Sequence, residues 1–67
     1  MSKFNYRAIQ VIMDDSGKWI ITDKAIKEEY EIEAETSKLT IDIGNEKLSI
    51  VHPEVPVSWF LTGATSV

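Results

Sequence analysis

Apolar residues recur at every second position along much of this chain, and the points where that alternation breaks divide it into elements. In FNYRAIQVIMD, residues 4–14, Ile9, Val11 and Met13 share one face of a strand, with Tyr6, Ala8 and Ile12 mostly on the other. Apolar residues on both faces predict a strand covered on both sides. DDSGK, residues 14–18, gathers Asp, Ser and Gly and reads as a tight turn. WIIT, residues 19–22, is a short β-rich run, so the two stretches predict a hairpin.

Thr22 is placed to cap a helix starting at Asp23, with Ile26 and Tyr30 one turn apart. Carried further, that helix would set Glu29 beside Glu33 and Glu31 beside Glu35, each like-charge pair costing roughly 0.2–0.5 kcal/mol. A strand instead turns Tyr30, Ile32 and Ala34 inward and Glu31, Glu33 and Glu35 outward. The expectation is one or two helical turns over residues 23–29, then a strand near 30–35. In LTIDIGNEKLSIVH, residues 39–52, Leu39, Ile41 and Ile43 alternate with Thr40 and Asp42, and Leu48 and Ile50 flank Ser49. With Gly44-Asn45-Glu46 as the turn, this predicts a second hairpin. Pro53 and Pro56 end the last strand, because proline lacks the N–H a ladder needs. The pattern predicts a mainly β fold, barrel-like or a two-hairpin sheet with one short helix, over residues 1–53. Residues 54–67 are then a proline-broken aromatic tail that packs on the core or on a partner.

At 67 residues the chain makes one small domain, and a domain this short buries only about 60% of its unfolded surface. Without cysteine it has no disulfide, thiolate metal site or thiol nucleophile, and one histidine excludes multi-histidine metal centres. Self-association is the remaining brace, and a homodimer is expected. No apolar run approaches the ~20 residues that span a bilayer, and the opening residues lead into no signal-like segment. The expectation is a cytoplasmic protein with no membrane partner. Its net charge is −4, and its seven basic residues nowhere cluster, unlike those of a nonspecific nucleic-acid binder.

Candidate chemistry is sparse. DDSG does not match a calcium loop, and His52 with Ser49 or Ser58 has neither a strained serine elbow nor a placed carboxylate. No catalytic, cofactor-binding or metal-ligating residue is assigned, and neither enzyme activity nor a small-molecule substrate is expected. Two features speak of binding. On a strand, Glu31, Glu33 and Glu35 lie about 6.5–7 Å apart, either a solvated outer face or an imitation of a nucleic-acid backbone. Trp59, Phe60 and Leu61 are three large apolar side chains of the kind interfaces use as anchors.

MDDSGKWIITDKAIKE, followed by YEIEAETSKLTIDIGNEKLSIVHP, resembles the AbrB/MazE swapped-hairpin domain of bacterial transition-state regulators and antitoxins. The likeness spans about residues 13–53. It sets Asp14 and Gly17-Lys18 at the opening turn, Ala25, Ile26 and Tyr30 on the helix face, and residues 39–51 in the closing hairpin. Thr22 stands where that family usually has proline. The resemblance implies hairpin exchange between two chains, DNA phosphates met by Arg7, Lys18, Lys24 and Lys27, and a protein engaged by the tail around Trp59 and Phe60. Two further readings come from the residues alone. One is an acidic, viral-type inhibitor in which Glu31, Glu33 and Glu35 occupy a basic cleft of a nucleic-acid enzyme. The other is a structural subunit held in an assembly by Trp59, Phe60 and Leu61.

Overall fold

The computed structural model describes residues 2–67. Along the chain run β1 (Ser2–Gln10), β2 (Ile12–Met13), β3 (Trp19–Ile20), β4 (Lys27–Ala34), α1 (Ser37–Val51) and β5 (Phe60–Ser66). The fold is mainly β with one helix. β1 is the middle strand of an antiparallel sheet ordered β4-β1-β5, while β2 and β3 form a separate two-stranded ribbon. The register sets Tyr6 opposite both Tyr30 and Ala64. One face of the sheet carries α1 and the other is open to solvent.

The alternation in β4 holds as expected: Ile32 and Ala34 are buried and Tyr30 half-buried, whereas Glu29, Glu31 and Glu33 face water. On β1 the inward set is Tyr6 and Ala8, both fully buried. Val11 interrupts the strand, giving its N–H to the Trp59 carbonyl while Gln10 gives its own to Ile26. The chain therefore leaves the sheet as the β2–β3 ribbon.

The second hairpin expected over residues 39–51 is replaced by α1. Thr36, in extended backbone at φ −137° and ψ 159°, accepts the Leu39 N–H on its side-chain oxygen at 3.1 Å. His52 closes the helix with its N–H on the Leu48 carbonyl, and Pro53 stops it. Read at helical spacing, Thr40, Gly44 and Leu48 fall one above the other and are the residues α1 buries. Gly44-Asn45 is no turn: a side chain at Gly44 would run into the Tyr6 ring, and Asn45 accepts the Tyr6 hydroxyl at 2.7 Å. The helical turns expected over residues 23–29 are likewise corrected. Thr22 accepts the Ala25 N–H in a single turn, and the chain is already extended from Lys27.

The core is Tyr6, Ala8, Ile32, Ala34, Leu48 and Phe60, with Ile26, Tyr30 and Val55 against it. Tyr6 and Tyr30 stack with centroids 5.7 Å apart and planes 3° from parallel, and the Lys47 ammonium sits 4.5 Å from the Tyr30 ring centre. Residues 54–67 supply a 3-10 turn at Val57–Trp59 and then β5, an edge of the same sheet.

Candidate functional site

The β2–β3 ribbon is held by its turn. One Asp14 carboxylate oxygen accepts from the Ser16 hydroxyl at 2.7 Å, and from the Ser16 and Lys18 N–H groups at 2.9 Å each. The Ser16 hydroxyl and the Lys18 N–H hold this carboxyl below its usual range. Gly17 takes φ +84°, a backbone region that glycine enters without steric cost. The expected role of this stretch as a turn is what the structure shows.

That turn sets Trp19 opposite Met13. From the other end of the chain, Pro56 accepts the Trp59 N–H at 2.9 Å, and the 3-10 turn delivers Trp59 beside Val11. The two indoles meet edge to face, with centroids 6.5 Å apart and planes at 71°. Against the Trp19 indole lies a hollow of about 400 Å³, lined also by Val11, Ile21, Ser58, Phe60 and Leu61. Phe60 is buried at its floor, while Trp19, Ile21, Trp59 and Leu61 stay 54%, 51%, 45% and 61% exposed. Large apolar side chains scattered singly on a surface are ordinary, but a contiguous group around a hollow marks a contact site. The tail signal at Trp59, Phe60 and Leu61 thus divides: Phe60 belongs to the core, and the other two to a surface patch. Sequence reasoning missed Trp19 and Ile21. Their signal was three consecutive large apolar residues after a polar turn, more than a ribbon can bury on one face.

The glutamate row lies on the open face of the sheet and is not bare. Glu31 lies 3.6 Å from Lys3 and Glu29 lies 3.7 Å from Arg7. Lys3, Arg7 and Lys27 share this face with Glu29, Glu31 and Glu33, so its formal charge cancels. Glu35 lies past the end of β4, and neither it nor Glu33 has an ion-pair partner among the described residues. Of the proposed phosphate contacts, Arg7 and Lys27 line one shallow groove with Glu28 and Glu29. Lys18 sits on the β2–β3 turn and Lys24 on the turn before β4.

A third group went unread in the sequence. The Tyr30 hydroxyl donates to Glu28 at 2.7 Å, Glu28 lies 3.8 Å from His52 Nε2, and His52 Nδ1 lies 3.6 Å from Glu54. Burial, then the Glu28 carboxylate, pushes the Tyr30 phenol up to about 12. His52 Nε2 is buried with no hydrogen-bond partner. The group ties β4 to the end of α1. Among the described residues no cluster of three or more His, Asp or Glu side chains could hold a metal ion, and no helix is long and apolar enough to cross a membrane.

No protein family, curated protein or solved structure matches the chain.

Proposed function

We propose that this chain is a non-enzymatic protein-interaction subunit that docks through the patch formed by Trp19, Ile21, Trp59 and Leu61. One observation carries this reading: two half-exposed tryptophans in edge contact, one of them lining an apolar hollow. Leaving them in water is costly, and interfaces concentrate their binding energy in such aromatic anchors. The hollow accommodates one or two large apolar side chains of a partner protein. The DNA-binding reading has less support, because Arg7 is engaged by Glu29 and shares its groove with Lys27, Glu28 and Glu29. The decoy reading has less as well, since cations interleave the glutamates on the open face.

The test compares three immobilised proteins for capture from native cell extract: the wild type, a Trp19→Ser/Trp59→Ser variant and a Glu31→Lys/Glu33→Lys variant. The wild type and the lysine variant are expected to hold the same partner, and the serine variant to lose it. Loss in the lysine variant instead would favour the acidic decoy. Duplex DNA is expected to show no binding; binding that falls steeply with salt would favour the regulator.

A further inference from the structure

The two edges of the sheet differ in chemistry. β4 presents Lys27, Glu28, Glu29, Glu31 and Glu33, whereas β5, FLTGATS, carries no charged side chain. Natural sheets guard open edges with charges, prolines or bulges. β4 has that protection and β5 lacks it. The backbone of β5 is also free to pair. The Val11 N–H donates to the Trp59 carbonyl and the Val67 N–H to that of Lys3, so odd-numbered residues of this strand point their backbone groups at β1. Thr62, Ala64 and Ser66 therefore turn their N–H and C=O groups outward.

We infer that β5 is the docking edge for a second copy of this chain. Two β5 strands pair antiparallel about a twofold axis at Ala64, making one continuous sheet. The partner is read from the sequence of the edge itself. In LTGATSV, residues 61–67, Leu61 mirrors Val67 and Thr62 mirrors Ser66 across Ala64. Antiparallel pairing about that residue sets Leu61 of each copy against Val67 of the other on the open face. These two apolar side chains are 61% and 69% exposed in the single chain. On the other face Thr62 meets Ser66, a pairing that suits cross-strand hydroxyls. The outward groups of Thr62 bond those of Ser66, and Ala64 bonds Ala64, so all three free positions are used twice by symmetry. Moving the axis to Gly63 would pair Leu61 with Thr65, set Val67 against the 3-10 turn at Trp59, and oppose Ser66 to Phe60, whose N–H is already given to the Val57 carbonyl. Two β4 strands paired in the same way would bring glutamate rows together. The inference shares Leu61 with the tryptophan patch, but it rests on the backbone and sequence of the β5 edge and not on the tryptophans.

Sedimentation velocity over a wide concentration range tests it. The wild type is expected at twice the 7.6 kDa of one chain. Ala64→Pro is expected to be a monomer with an unchanged circular dichroism spectrum, because the Ala64 N–H makes no bond to β1. Leu61→Glu is expected to be a monomer too, and adding Val67→Lys in the same chain to restore the dimer. Positions 61 and 67 lie about 20 Å apart along one strand, so that rescue can act only between copies. The Trp19→Ser/Trp59→Ser variant keeps the dimer, which separates this inference from the docking reading. A monomeric wild type, a dimer that survives Ala64→Pro, or a Leu61→Glu defect that Val67→Lys does not repair would each overturn it. The second of these would move the contact to another surface, and a monomer whose β5 amides are protected only by a foreign protein would identify a different occupant.

Discussion

Tyr6 is the residue around which this small core is arranged. It is fully buried, its ring lies under Gly44 and beside Tyr30, and its hydroxyl reaches Asn45. Gly44→Ala is therefore a sharp probe. At an exposed mid-helix site the change would stabilise by about 1 kcal/mol through propensity. Here the new methyl meets a buried ring, and a net loss of about 1–3 kcal/mol is expected in urea denaturation. The tyrosines also set an alkaline limit. Tyr30 is pushed up to about 12 from its ordinary 10, and burial raises Tyr6 as well. The folded state favours the neutral phenols, so their contribution is fully present below pH 10 and fades as pH rises from there through the folded values. Denaturation midpoints should fall over that window, and phenolate absorbance should rise together with unfolding.

At the scale of the element, α1 and the hairpin expected in its place make opposite claims about two neighbours. On a strand Leu48 and Ile50 share a face. On α1 Leu48 is fully buried and Ile50 is 73% exposed. Leu48→Ala should cost about 2–5 kcal/mol, and Ile50→Ala within about 0.5 kcal/mol of nothing. Similar costs at both sites would restore the hairpin. Thr36→Ala, which removes the helix cap, should cost about 1 kcal/mol by the same measurement. The ribbon has its own control. Asp14 is held below its usual value near 3.8 by Ser16 and the turn amides. Its contribution is present above that value and disappears as pH falls through the lower folded one. Amide exchange across β2 and β3 should accelerate there while β1 stays protected, and Asp14→Ala should reproduce the effect at neutral pH.

Over the whole molecule, the charged face of the sheet and the tryptophan patch are distinct surfaces. The open sheet face and α1 each balance their charges, so the net −4 belongs to the turns before β4, to Glu28 on the helix side of β4, and to Glu35 and Glu54 on either side of the helix. The exposed tryptophans lie at the end of the sheet where the ribbon departs. Lys3 and Arg7 pair with glutamates while exposed, and such pairs contribute about 0–1 kcal/mol each. Lys3→Ala should accordingly leave the unfolding midpoint nearly unchanged. The small core is where stability resides, and the proposed contacts lie on parts of the surface that contribute little to it.

Much of the β architecture is legible because its signals are local. Asp14, Ser16 and Gly17 specify their turn within five residues, and the period of two from Tyr30 to Ala34 orients β4 without reference to any other segment. The helix was not legible in the same way. LTIDIGNEKLSIV alternates with a period of two, its Gly44-Asn45 pair has the chemistry of a turn, and the face that α1 buries, Thr40, Gly44 and Leu48, holds only one large apolar residue. Thr36 and Pro53 bracket a helix of the right length, but those signals are weaker than the alternation between them. What decides is Tyr6, far away in sequence, whose ring needs a position with no side chain above it and an amide beside it. A helix places Gly44 and Asn45 there, and a hairpin does not. The docking patch has the same origin: Trp19 and Trp59 are forty positions apart, and only the return of β5 to the middle strand brings them into contact. Local chemistry fixed the first strand, the Asp14–Lys18 turn, and β4 with its solvated glutamates. Tertiary contact with Tyr6 overrode the period of two over residues 39–51.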